Sequence, residues 1–188
     1  MSDTLFRLPP HPVLRTARLW LRPIELGDAA DVFAYVSDPE VLRYTSGRTP
    51  AHIAETEAFL AGVIEEPETL CWGIRLAADD PVVGAIEFNL VAPTAGSIHY
   101  ALAASMWGKG MMTEAVQAVC TWVFRTLPQL TTIGTTVVVE NIGSRRVLEK
   151  CRFYHTGEVT DRWEKELETV RLWVYRLDRG GGTGTDRP

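Results

Sequence analysis

The 188-residue chain is predicted to form an α/β or α+β sheet covered by helices, and three observations lead there. Strand-like and helix-like patterns follow the order strand, two helices, three strands, helix, strand, helix, strands. From Met111 to about Leu127 the residues Met112, Ala115, Val116, Val119, Cys120 and Val123 recur at helical spacing, which defines a central helix. A hydrophobic content of 46% provides a core for one globular domain without staples.

Met1 to Val13 is Pro-rich and reads as an N-terminal arm, residues 14–178 as a single domain, and residues 179–188, with Gly-Gly-Gly-Thr-Gly-Thr, as a flexible tail. Both ends are set outside the core. Arg18 to Arg22 alternates as a strand. Gly27-Asp28 opens a helix to about Ser37, with Asp28 as N-cap, and Asp38-Pro39 breaks it. A second helix is expected from Pro50 to Glu65, with Ile53, Phe59, Leu60, Val63 and Ile64 on its apolar side. Trp72–Ala77 and Val82–Val91 read as strands joined by the turn Asp79-Asp80-Pro81. Pro93 to Gly96 turns the chain into a strand, Ser97–Ala104, that feeds the central helix. Thr131–Val139 is a β-branched strand, Glu140–Phe153 an Asn-opened helix, and Val170–Leu177 the last strand.

The net charge of −5 and a sequence pI near 5.4 disfavour nucleic acid or an anionic membrane as partner and suit a cationic or amine-bearing one. Cys71, Cys120 and Cys151 form no Cys-x-x-Cys pair, so neither a metal site nor a disulfide framework is suggested. No apolar run approaches the roughly 20 residues of a membrane span, and the N-terminus lacks a signal-peptide core. A soluble protein of the reducing cytoplasm is expected.

The run Trp107-Gly-Lys-Gly-Met-Met-Thr-Glu-Ala115 places two glycines at a helix start. There, unpaired N–H groups and the positive end of the helix dipole can converge on an anion. About thirty residues on, Asn141-Ile-Gly-Ser144 opens the next helix. With the strand Thr16-Ala-Arg-Leu-Trp-Leu-Arg-Pro23, these motifs resemble the GCN5-related N-acetyltransferase (GNAT) family, in particular its RimJ/RimL-like branch of ribosomal-protein-alanine N-acetyltransferases, over Leu14 to Leu177. The resemblance implies a mixed, mostly antiparallel sheet of about six to seven strands with about four helices. It implies transfer of acetyl from acetyl-CoA, without a metal, to a small amine or a protein N-terminus by direct attack in a ternary complex, and it allows a homodimer. Three positions depart from the family: Ser105 stands where the glycine loop usually begins with Gln or Arg, Leu148 where many members carry an acidic Tyr, and Arg152 where Gly usually ends the helix. An Arg in left-handed geometry costs about 1–2 kcal/mol, so that helix is expected to end differently. The missing Tyr keeps an acyl-CoA-binding sensor with little turnover as the alternative.

For the pyrophosphate, the backbone amides of Trp107, Gly108, Lys109, Gly110, Met111 and Met112 are the candidates, the Lys109 side chain being as readily a solvated lysine. The family's oxyanion donor is a backbone N–H at Leu102 or Ala103. Asn141 is either a cofactor contact or an N-cap. Ser144 is nominated as proton donor to the thiolate, against a hydroxyl bonding within the first helical turn. Pairing symmetric about residue 93 puts Glu87 opposite His99, a pair able to relay the amine proton or simply a solvated cross-strand contact. Glu164 and Glu166 are rival acids, and Tyr35, Tyr44, Phe59 and Trp163 wall an acceptor pocket or belong to the core.

Overall fold

The computed structural model describes residues 8–163, 165 and 168–180. Its strands are β1 (Leu14–Arg15), β2 (Trp20–Pro23), β3 (Thr69–Arg75), β4 (Gly84–Ala92), β5 (Ala95–Leu102), β6 (Thr132–Val138), β7 (Tyr154–Trp163) and β8 (Glu168–Asp178). The helices are α1 (Ala29–Val36), α2 (Pro39–Leu42), α3 (Ile53–Glu65), α4 (Met111–Thr126) and α5 (Ile142–Lys150). The strands form one sheet in the order β1-β2-β3-β4-β5-β6-β8-β7, antiparallel throughout except for β5 beside β6. The expected mixed, mostly antiparallel sheet is present. The members not read from sequence are the two-residue β1 and the single-turn α2, both too short to leave a periodic signal, and the ten-residue edge strand β7, whose mostly exposed residues give no apolar alternation.

Alternation along β4 divides the molecule. Ile86, Phe88 and Leu90 point into a core with Ile98, Leu102, and Ala115, Val116 and Val119 of α4. Ala85, Glu87 and Asn89 face the other way, and there α1 and α3 bury Val32, Tyr35 and Leu60 against Cys71 and Val82. Strand β3 is covered on both sides, so Leu70 to Ile74 reads as an unbroken apolar run.

Several expectations are corrected. Helix α3 buries Thr56 and Leu60, while Ile53, Phe59 and Ile64 are exposed. Its inward stripe is therefore narrower than the apolar pattern suggested. Asp28 makes no N-cap bond to α1; its carboxylate is buried between Arg22 and Arg75 and accepts the Glu25 N–H, a role for which an acidic cap and an ion-pair hub look alike in sequence. Arg152 does adopt left-handed geometry, with φ 65°. The Arg152 N–H donates to Glu149 O and the Phe153 N–H to Leu148 O, both at 3.0 Å, which is a Schellman ending sealed by the buried pair Leu148 and Phe153. Burial of that pair outweighs the strain on Arg152.

The two ends are also less separate than composition implied. Leu8 joins the main core, His11 lies edge-on to Trp72 with ring centroids 4.7 Å apart, and the Trp72 indole N–H donates to Pro12 O. Arg179 donates to the carbonyls of Phe124, Leu127 and Leu130, closing the C-terminal end of α4 where a cation is favoured. No helix among the described residues is long and apolar enough to cross a membrane.

Candidate active site

Strands β5 and β6 pair only at Ala95↔Thr132, Gly96↔Ile133 and Ser97↔Gly134, although β5 continues to Leu102 and β6 to Val138. Beyond Ser97 the sheet opens, and peptide groups on the inner edge of β5 face a gap. The Ala103 N–H donates to Val83 O at 2.8 Å and so belongs to the β4 side. Peptides alternate along a strand, so Leu102 faces the gap, where its carbonyl accepts the Trp107 indole N–H at 2.7 Å. Of the two oxyanion candidates, Leu102 is oriented for the role and Ala103 is already engaged.

The glycine loop adjoins this opening. Gly108 and Gly110 have φ of 73° and 76°, values that disfavour any side chain. Gly110 precedes α4 directly and no side chain caps that helix. Its first intrahelical bond is Glu114 N–H to Gly110 O, which leaves the Met111, Met112 and Thr113 amides without helical acceptors. Lys109 and Trp107 are exposed, and Met112 is buried. Arg18, which sequence reasoning placed only in a strand, fixes this loop from 91 residues away by donating to Lys109 O at 2.9 Å. The same guanidinium pairs with Glu114 at 2.7 Å, and the Arg18 backbone N–H donates to the other carboxylate oxygen at 3.0 Å. Burial pushes the Glu114 pKa up, but hydrogen bonds from Thr16 and Arg18 outweigh it and hold the carboxylate below its ordinary value.

Asn141 caps α5, its side-chain oxygen accepting the Ser144 N–H at 3.1 Å. The Ser144 hydroxyl does not turn back into the helix; it meets the Tyr100 hydroxyl at 2.8 Å. Tyr100 projects from β5 beside Leu102, and burial raises its pKa well above the ordinary tyrosine value. Its contact with Ser144 was invisible in sequence because the two are 44 residues apart. Cys151 contacts Thr113 O at 3.4 Å, tying the end of α5 to the first turn of α4. The open peptide edge, the loop amides and Ser144 thus converge on one stretch of β5.

Glu87 and His99 are directly paired across β4 and β5, as symmetry about residue 93 requires. Asn89 donates to the Glu87 carboxylate at 2.7 Å, and Cys71 is the Glu87 partner on β3. Burial, then the charges of Glu87 and Asp28, push the Cys71 thiol up to about 12, so it is not a nucleophile at neutral pH. This face lies opposite Tyr100 and α4, and an open groove of about 490 Å³ runs along it past Ser97, His99, Gly134, Thr136, Val174 and Arg176. Tyr35 is core, Tyr44 packs on the buried cluster of Val138, Trp163 and Leu172, and Phe59 is exposed. Glu164 and Glu166 lie outside the described residues.

Residues 18–154 match the model of the acetyltransferase (GNAT) domain. An uncharacterized N-acetyltransferase, p20, from Bacillus licheniformis is 29% identical over 169 residues, covering 87% of this chain and 94% of its own length. RimL, a ribosomal L7/L12 alpha-N-protein acetyltransferase solved with coenzyme A, superposes with a TM-score of 0.78 at 18% identity, covering 90% of this chain and 99% of that one. Spermidine N-acetyltransferase from Vibrio cholerae, solved with CoA and spermine, gives 0.76 at 17% identity, over 88% and 98% of the two chains. With an open seam in its sheet beside a left-handed glycine loop and most of its length matched by one family, the chain belongs to the GNAT acetyltransferases, as an N-acetyltransferase.

Proposed function

We propose that the protein transfers acetyl from acetyl-CoA to a primary amine by direct attack, with both substrates bound at once. The observation that carries this is the opening of the sheet after Ser97 beside Gly108 and Gly110. The residues suit the cosubstrate: an anion fits the amides of Gly108 to Met112, where no side chain intrudes at Gly108, and an extended chain can run beside the free edge of β5. When bound, acetyl-CoA supplies an activated acyl carbon and a thiolate leaving group. Leu102 N–H donates to the oxygen on which charge develops. Ser144 aims its hydroxyl at the departing sulfur, and Asn141 holds Ser144 in place. Glu87, through water and beside His99, receives the proton that the amine must lose. The two sides of the sheet separate the tasks, with the cofactor served from the α4 and α5 side and the amine arriving along the Glu87 face.

The acceptor carries a primary amine, either on a small molecule or at a protein N-terminus. The RimJ/RimL-like reading of the strand and loop motifs favours a protein α-amine, and the net charge of −5 suits a cationic acceptor. Cytoplasmic location and a homodimer belong to the same reading. Thiol release from acetyl-CoA, followed with a panel of polyamines, amino acids and N-terminal peptides, tests it. Turnover with one amine class is expected. CoA binding without release on any amine would replace the enzyme with a sensor, and release without any CoA affinity change in Gly110→Val would move the cofactor site elsewhere.

A further inference from the structure

Tyr100 has no part in the reaction as described, yet its hydroxyl meets that of Ser144 at 2.8 Å. The Ser144 carbonyl is 3.4 Å from the same phenol oxygen, beyond the usual reach of about 3.0 Å for O–H···O bonds, so the phenol proton is best placed on Oγ. Burial beside Cys120 and Cys151 keeps the phenol protonated. Ser144 in turn is anchored through its N–H to Asn141. If the oxygen of a serine accepts one hydrogen bond, its own proton is left to point elsewhere, and it becomes a stronger donor by cooperative polarisation of roughly 10–30%.

We infer that Tyr100 is a positioning residue: it donates to Ser144 Oγ and thereby turns the serine proton onto the leaving sulfur of the thioester. This rests on the reading of Ser144 as donor to that sulfur. As the C–N bond forms and the C–S bond breaks, the electron pair of the latter goes to sulfur. Ser144 O–H, polarised by Tyr100, holds the thiolate by a hydrogen bond. Complete transfer would leave an alkoxide beside a buried phenol, so the proton that finally neutralises sulfur is the one released by the amine. Atoms and charge balance without any further reactant.

The test compares binding of CoA and desulfo-CoA across pH by calorimetry, which reports the pKa of the bound thiol, alongside kcat. Hydrogen bonds to the thiolate lower that pKa. Tyr100→Phe should raise it by about one unit, cutting the preference for CoA over desulfo-CoA at high pH by roughly tenfold. It should lower kcat severalfold while leaving desulfo-CoA affinity within about twofold. Ser144→Ala separates the two layers: no change in bound-thiol pKa there overturns the Ser144 reading itself. A change in Ser144→Ala with none in Tyr100→Phe overturns only the role of Tyr100, as does a Tyr100→Phe loss that weakens desulfo-CoA equally. Replacing tyrosine by 3-fluorotyrosine keeps the fold and makes the phenol a stronger donor, so the thiol pKa should fall; an unchanged or raised value overturns the proposal.

Discussion

Gly108→Ala isolates what the left-handed loop contributes. A Cβ at Gly108 would meet nothing within 4 Å, so the substitution has no packing cost. Its penalty is conformational, about 1–2 kcal/mol for holding a side chain at φ 73°. Gly108 is exposed, and the loop can relax to negative φ in the free protein. Relaxation removes the strain but swings the following amides away from the anion, and binding must then restore the left-handed geometry. The whole penalty therefore falls on affinity: CoA should bind about five- to thirtyfold more weakly, while Tm falls by less than about 2 °C. Gly110 differs, because Arg18 holds the preceding Lys109 carbonyl at 2.9 Å and α4 starts at the next residue. Gly110→Ala cannot relax freely, so its strain should appear as a Tm loss of about 2–8 °C. Calorimetry with CoA and thermal scanning of both variants measure the partition. A folded Gly108→Ala protein with wild-type CoA affinity would refute the assignment of the loop to the pyrophosphate.

Three further outcomes are expected. Arg152→Gly relieves left-handed strain and loses some of that gain to a more flexible unfolded chain, so Tm should rise by about 1–4 °C in a thermal scan; no rise means that the side chain earns its place in a contact. Glu87→Gln preserves size and the pairing with His99 but removes the basic oxygen, so kcat should drop at least about tenfold, with CoA affinity kept and the rising limb of the kcat/KM pH profile displaced. An unaltered profile would assign proton acceptance to water or to another acid. His11 has its pKa lowered from 6.5 by burial against Trp72. The folded value lies below the unfolded one, so the stability that docking contributes is complete above pH 6.5 and is lost as pH falls through the folded value. Wild-type Tm should therefore fall below pH 6.5 more steeply than that of His11→Phe.

The sequence revealed what local periodicity or a symmetric turn determines. The apolar spacing of Met112 to Val123 located α4, and the turn near Pro93 placed Glu87 opposite His99, because hairpin register follows from turn geometry. Contacts distant in sequence were not legible. Arg18 and Glu114 are 96 residues apart, and Tyr100 and Ser144 are 44 apart; the first pair meets where the bend between β1 and β2, read from sequence as strand, abuts α4, the second where β5 meets α5. Arg152 was misjudged for a different reason. Its own preference argues against a left-handed ending, but burial of its neighbours Leu148 and Phe153 decides the matter. Leu148 also accounts for its own departure from the family: fully buried near the end of α5, it anchors that ending and leaves no room there for a polar hydroxyl facing solvent.

The site depends on β5 more than on any other element, and strand alternation explains why. Its odd residues, Ser97, His99 and Ala101, send peptide groups to β4 and side chains to the face of Glu87; its even residues do the reverse. Ile98, Tyr100 and Leu102 therefore put side chains into the core shared with α4 and turn their peptides to the gap left by β6. One strand thus carries the peptide edge that the proposal assigns to the oxyanion at Leu102, the phenol that meets Ser144 and the imidazole opposite Glu87. A slip of β5 by one residue against β4 would turn His99 into the core and bring Ile98, Tyr100 and Leu102 out to the face of Glu87. That cost protects the register, and the shift in pairing between Leu90 and Ala92 confines the irregularity of the turn to the end of the hairpin, before it can reach Glu87.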